Sequence, residues 1–196
     1  MNRKDLFACP FYFDRIELDV NRVNSAINST QCRGAMSVDH DILRTNFNFL
    51  LNPIDSIVSD VMSELNFKNY NIFTSWMTKT VMGQVYSEPH SHCNSFMSGI
   101  LYLTKNPSPI IFRHPLPWRW QSGLDDQNDG MLKSDKLRLS PKMGDIVLFP
   151  SHVFHLIVPH NSHMVRCSLA LNVVPVGEYG VGDSALNVTL SPVRKV

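Results

Sequence analysis

Gly83-Gln-Val-Tyr-Ser-Glu-Pro-His-Ser-His-Cys-Asn-Ser-Phe-Met-Ser-Gly-Ile-Leu-Tyr-Leu103 reads as a strand, a tight polar turn and a second strand, with His90 and His92 at the turn. Successive side chains of an extended chain point to opposite sides, so two histidines separated by one residue face the same point in space. Neutral imidazole is the commonest metal ligand, and this geometry suits a metal ion. An H-x-H pair is a weak signal by itself. A third ligand has to come from elsewhere in the chain.

Downstream of this stretch the β-rich character continues. Short segments punctuated by Pro, Gly and Asn predict strands near 70–82, 96–103, 109–113, 136–140, 145–149, 154–158 and 164–174, with a late one at 186–190. Many short strands without an intervening helical pattern point to a sandwich or barrel. Residues 114–135 break the rhythm, and a loop this long in a compact domain usually serves as a lid or binding loop or is disordered. Within it Trp118 and Trp120 flank Arg119 and either stack on a planar substrate or pin the loop to the body.

Upstream, residues 5–18 alternate loosely and predict one or two short strands. From Asp19 to Ser29, Val20, Val23 and Ile27 recur at helical spacing, with Asp19 available as N-cap. Residues 30–52 are polar and irregular and predict mostly loop. A second helix then starts with Asn52 as cap and Pro53 at its first position, and Ile54, Ile57, Val58, Val61, Met62 and Leu65 form its apolar stripe.

The chain of 196 residues is long enough for one domain with a full core, and 43% apolar against 18% charged residues fits a globular protein rather than a disordered one. A formal net charge of +1 gives no bulk attraction to nucleic acid or an anionic membrane. Cys9, Cys32, Cys93 and Cys167 are widely spaced with no C-x-x-C pair, which suits a reducing cytoplasm rather than a disulfide framework or zinc ribbon. The start, Met1-Asn-Arg-Lys-Asp5, leads into a mixed stretch instead of an apolar signal core, and no apolar run approaches the roughly 20 residues of a membrane span.

Candidates for the third ligand follow the segment Gly144-Asp-Ile-Val-Leu-Phe-Pro-Ser151. His152 sits in the turn, His160 lies beyond Pro159 in a surface-like stretch, and His155 stands between apolar residues in the strand leaving the turn. His155 is therefore either a hydrogen-bonded core histidine or a ligand. Beyond it, His163 to Val173 alternates strictly: Val165, Cys167, Leu169, Leu171 and Val173 share an apolar core face, and Arg166, Ser168, Ala170 and Asn172 share the other. Arg grips a carboxylate through two parallel hydrogen bonds, and Ser168 is placed to supply a third. The small residues beside Arg166 favour a cavity-facing surface over a solvent-facing one.

The order H-x-H, then Ser-Gly-Ile-Leu-Tyr-Leu103, then Gly-Asp-Ile-Val-Leu-Phe-Pro-Ser151 with His155 five residues after Pro150, then R-x-S eleven residues after His155, resembles Fe(II)/2-oxoglutarate-dependent oxygenases. It is most similar to the branch related to prolyl 4-hydroxylases that is common in marine bacteria and their phages. The resemblance covers residues 70–175, and the tail from Pro175 to Ser184 shares that branch's character. It implies a mainly β protein, a double-stranded β-helix (jelly roll) with one or two flanking N-terminal helices. In that arrangement 1–196 is a single domain: 1–69 a helical flanking region, 70–175 the jelly-roll core and 176–196 a C-terminal extension.

The resemblance also implies roles. His90 is the first metal ligand and His155 the distal one, while Arg166, assisted by Ser168 and Tyr102, binds the far carboxylate of the co-substrate 2-oxoglutarate, with Fe(II) as the metal. One departure concerns His92, which stands where the family usually has Asp or Glu. The usual triad is two histidines and one carboxylate, so imidazole here removes one negative charge; Asn94, a water or Glu88 are the other candidates for that position. The implied activity is hydroxylation of an unactivated C–H bond, with release of succinate and carbon dioxide, in the cytoplasm (the host's, for a phage-encoded chain). The substrate is a small molecule or a macromolecular side chain, neither membrane nor nucleic acid is indicated as partner, and unpaired strands are compatible with a homodimer. Two other classes fit parts of the pattern. A cupin-like metalloprotein expects a Glu shortly after H-x-H, which residues 93–99 lack, and a non-catalytic jelly-roll binding module expects no metal.

Overall fold

A computed structural model describes residues 9–83, 88–105, 107–113, 136–159 and 162–190. Its elements run β1 (Tyr12–Arg15), α1 (Val20–Ser29), β2 (Cys32–Arg33), β3 (Met36–Ser37), α2 (Leu51–Glu64), β4 (Tyr70–Thr80), β5 (Met97–Tyr102), β6 (Ile110–Arg113), β7 (Lys136–Leu139), β8 (Asp145–Pro150), β9 (His155–Ile157), β10 (Arg166–Pro175), β11 (Gly177–Tyr179) and β12 (Leu186–Val188). A seven-stranded sheet has the order β1-β8-β5-β10-β4-β3-β2, a three-stranded sheet the order β7-β6-β9, and β11 pairs β12 in a separate hairpin. The named strands pair antiparallel throughout. This is the jelly roll expected from the sequence, mainly β with two helices before the core strands.

The large sheet is covered on both faces, and strand alternation decides which residue goes where. On one face Met77, Leu101, Ile146, Leu148, Leu169 and Leu171 join Val23 and Ile27 of α1 and Ile54, Val58 and Met62 of α2 in the main core. On the other, Ile100, Tyr102, Val147 and Phe149 meet Ile110 and Phe112 of the small sheet. Burying a side chain of this size contributes roughly 1.5–3 kcal/mol, more than helix propensity supplies, so α1 and α2 are held chiefly by their apolar stripes.

The helix starts differ in how they are made. Asp19 caps α1 as expected, its carboxylate accepting from the backbone N–H groups of Asn21 and Arg22 at 2.9 and 3.1 Å. The expected cap at Asn52 is not found. A 3₁₀ turn over Asn48–Leu50 runs straight into α2, which begins at Leu51 without a side-chain cap. Pro53 then falls in the first turn, where its missing N–H would have no intrahelical partner. Residues 30–52 are likewise more structured than expected. They add the β2–β3 hairpin to the large sheet and bury Ile42, Leu43 and Phe47, and Ser75 of β4 holds them through Ile42 N–H to its carbonyl (3.2 Å) and Leu43 N–H to its hydroxyl (2.9 Å). Loop 114–135, with Trp118, Arg119 and Trp120, lies outside the described residues, as does His160. No helix among the described residues is long and apolar enough to cross a membrane.

The turn before β8 joins three strands. Gly144 accepts from Ile16 N–H and donates to the Tyr102 carbonyl, both at 2.8 Å, with φ of +89°, a region L side chains avoid. A methyl added there would stand 2.6 Å from the Ile16 carbonyl oxygen. Gly144→Ala is therefore expected to cost roughly 2–4 kcal/mol, read as a lower urea midpoint at unchanged slope; an unchanged midpoint would show the turn to be dispensable.

Candidate metal centre

His155 opens β9 and His90 lies directly opposite it. The two exchange backbone hydrogen bonds, His90 N–H to the His155 carbonyl at 3.0 Å and His155 N–H to the His90 carbonyl at 2.9 Å. This single antiparallel bridge fixes both Cα positions at the end of the small sheet. Ser91 intervenes, and His92 is tied by its own N–H to the Ser151 carbonyl at 2.8 Å. The result is a cluster in which one nitrogen from each of His90, His92 and His155 lies within 4.8 Å of the others.

The rings are held as well as the backbones. His90 Nδ1 meets the Glu88 carbonyl at 2.9 Å, and His155 Nδ1 meets the Val153 carbonyl at 3.1 Å. A carbonyl only accepts, so each Nδ1 carries the proton and each Nε2 keeps its lone pair. Metal-binding histidines are commonly fixed in this way. Trp76 of β4 stacks on His92 with centroids 5.6 Å apart, and Phe149 packs its edge against His155 at 4.8 Å. His155 is 2% exposed, and burial, helped by its histidine neighbours and opposed by the bond to Val153, lowers its pKa to about 4. His92 is shifted down too, first by burial and then by His90, with Asn172 acting in the opposite direction. His92 and His155 are thus biased toward the neutral form that binds metal.

Farther along the same face lies a second polar group. Arg166, Ser168, Ala170 and Asn172 of β10 stand opposite Thr80, Thr78, Trp76 and Thr74 of β4, and Tyr102, Ile100 and Ser98 of β5 flank the last three of them. Arg166 is fully buried and donates from Nη2 to Ser168 Oγ at 3.3 Å, and Ser168 Oγ in turn meets Thr78 Oγ1 at 2.7 Å. Tyr102 Oη and Thr80 Oγ1 are buried without a hydrogen-bond partner among the described residues. Burial raises the Tyr102 pKa despite Arg166 nearby, so the phenol stays protonated. Two hydroxyl donors beside a guanidinium form a buried polar group whose chemistry suits an anionic oxygen ligand such as a carboxylate.

The other sequence candidates do not join the cluster. Asn94 is exposed in a left-handed turn conformation, with φ of 56°. Glu88 is exposed and contributes its backbone carbonyl to His90, and His152 is exposed in the turn after β8. Thr78, Thr80 and Trp76 were not singled out from the sequence. Alternation along β4 puts them on one face, but only strand pairing shows that this face is the Arg166 one.

For His155 the sign of the pH effect follows from its lowered pKa. Its folded value of about 4 lies below the ordinary 6.5, so between those values the unfolded chain takes up a proton that the folded one refuses. In metal-free protein this contribution is fully present above pH 6.5 and is lost as the pH falls toward 4, amounting to about 3 kcal/mol. Urea unfolding at pH 7 and pH 5 is expected to show a smaller loss in His155→Gln than in the wild type; equal losses would contradict the assignment.

The chain matches the family model described as "Putative 2OG-Fe(II) oxygenase" over residues 74–172. Among solved structures it is similar to the non-heme alpha ketoglutarate dependent carbocyclase SnoK from nogalamycin biosynthesis, at 12% identity over 90% of this chain and 84% of that one, with a TM-score of 0.62. It is also similar to a Pseudomonas putida prolyl-4-hydroxylase, at 15% identity over 86% of this chain and 94% of that one, with a TM-score of 0.56. A third is HygX from Streptomyces hygroscopicus with nickel and 2-oxoglutarate bound, at 10% identity over 85% of this chain and 82% of that one, with a TM-score of 0.57. No curated protein matches the chain in sequence.

Proposed function

We propose that this chain, which belongs to the 2OG-Fe(II) oxygenase family and is an enzyme of that class, uses His90, His92 and His155 to hold Fe(II) and hydroxylates an unactivated C–H bond. The observation that carries this reading is the convergence of three imidazoles within 4.8 Å on the sheet face that also holds the buried Arg166. The donor set fits the metal, since His90 and His155 have Nδ1 engaged and Nε2 left to bind. The chemistry of the Arg166 group supports 2-oxoglutarate as its ligand. Arg166 would pair with its far carboxylate, and the Tyr102 and Ser168 hydroxyls would add to that grip.

When bound, Fe(II) and 2-oxoglutarate together supply the oxidation: one atom of dioxygen enters succinate as carbon dioxide leaves, and the other enters the substrate as hydroxyl. The protein orients and excludes water. Arg166 and its hydroxyl neighbours fix one end of the co-substrate, which sets the distance of its keto acid end from the histidines. Trp76 sets apolar surface against His92, and Phe112 and Phe149 set it against His155, shielding part of the centre from water. An all-imidazole set also leaves the charge of the metal uncompensated by the protein, which strengthens its preference for an anionic keto acid over water. The substrate, a small molecule or a macromolecular side chain, would approach past the half-buried Trp76.

Titrating 2-oxoglutarate into anaerobic Fe(II)-loaded protein is expected to give a weak visible charge-transfer band, with no need to know the substrate. His90→Ala and His155→Ala should lose the band, and Arg166→Ala should need roughly 10–100-fold more 2-oxoglutarate to develop it. Absence of the band from the wild type, or an Arg166→Ala titration superimposable on it, would overturn the assignment.

A further inference from the structure

Of the three histidines, His92 is the one flanked by parallel rings. His90 and His155 each secure Nδ1 on a carbonyl two residues back in their own segment, Glu88 and Val153. The His92 imidazole lies nearly parallel to two neighbours. The Trp76 indole stands 5.6 Å from it, centroid to centroid, with 28° between the planes, and the His155 imidazole stands 5.2 Å away at 21°. These are the spacings of offset stacking.

The sheet fixes where that indole stands. Both neighbours of Trp76 in β4 are fully buried and tied through the main chain, Ser75 N–H to the His40 carbonyl at 2.8 Å and Met77 N–H to Ser37 Oγ at 3.0 Å. Across β10 the partner of Trp76 is Ala170, the smallest side chain on that face, which leaves room for a large ring beside it. The other β4 residues on this face, Thr74, Thr78 and Thr80, are all threonine. Trp76 belongs to neither apolar core cluster, and its aromatic contact among the described residues is His92. An indole that the core does not use is thus aimed at one imidazole.

We infer that Trp76 is a positioning residue whose indole sets the plane of the His92 imidazole within the histidine cluster. This rests on the three-histidine metal reading above and deepens it. A stacked neighbour restrains the tilt of a ring without occupying its nitrogens, so orientation and ligation do not compete. The indole face is also electronegative and attracts positive charge. An imidazole that binds a divalent ion takes on part of that charge, so the stack favours the metal-bound form over the free one. Where the family usually places a carboxylate, Trp76 returns some of the negative potential that an imidazole lacks. It acts through His92 rather than by touching the metal.

The test is Co(II) titration of the full chain, followed by calorimetry and by the visible spectrum of the bound ion, comparing Trp76→Leu with Trp76→Phe. Trp76→Leu is expected to weaken Co(II) binding roughly 3–10-fold and to alter the spectrum. Trp76→Phe keeps a ring face and should stay closer to the wild type in both. In a His92→Asp background, which keeps a ligand but removes the stacked ring, Trp76→Leu should cause no further loss. Should Trp76→Leu fail to fold by far-UV circular dichroism, Trp76→Thr takes its place, matching its neighbours on that face. Should His92→Asp bind no Co(II), the comparison of Leu with Phe decides alone. Wild-type affinity and spectrum in the folded Leu or Thr variant, equal losses with Leu and Phe, or an equal loss beside Asp would each overturn the inference alone. If the wild type binds no Co(II), or His90→Ala binds it equally well, the metal reading falls and this inference falls with it.

Discussion

Two backbone hydrogen bonds between His90 and His155, 3.0 and 2.9 Å long, hold this site together. They involve no side chain, yet they bring one imidazole of the H-x-H segment within 4.5 Å, centroid to centroid, of one from β9. Each imidazole is then locked by a carbonyl of its own segment. Main-chain bonds of this kind keep their geometry whether or not a ligand is present, so the centre is largely built before anything binds. A small sheet of three strands, ending on this bridge, is enough to do it.

β10 does for the Arg166 group what the bridge does for the histidines. It is the middle strand of the seven, with β5 on one side and β4 on the other, and it is buried on both faces. Its odd-numbered residues from Cys167 to Val173 face the helices and stabilise the domain, while Arg166, Ser168 and Asn172 are buried polar residues on the opposite face. Core and chemistry therefore share one piece of backbone. A change that disturbs the packing of Leu169 or Leu171 also moves the guanidinium.

Much of this was legible in the sequence because it depends on alternation. The period of two along β10 sorted Arg166, Ser168 and Asn172 from the core leucines, and the H-x-H spacing put His90 and His92 on one side. Asp19 was legible as a cap because its role is local. What stayed hidden depends on register between distant strands. Whether His155 was a ligand candidate or a core histidine could not be read from its apolar neighbours; its bridge to His90 places it in the cluster. Thr78 and Thr80 carried no signal of their own until β4 was paired with β10. Residues 30–52 misled because strands two residues long have no measurable period, and because Ile42, Leu43 and Phe47 are buried by contacts with β4 and the helices instead of by a repeating pattern. Asn52 misled because a preceding 3₁₀ turn can start a helix without a side-chain cap.

The strand order of the large sheet has a kinetic corollary. Neighbours such as β5 and β10 meet across a long intervening chain, Ser98 and Asn172 being 74 residues apart, and such pairings form slowly because the loop must close before any contact rewards it. The histidine cluster and the buried Arg166 group both draw on segments separated in this way. No nascent fragment ending before β9 carries the full set of imidazoles, and a chain stalled earlier during synthesis holds at most two of the three.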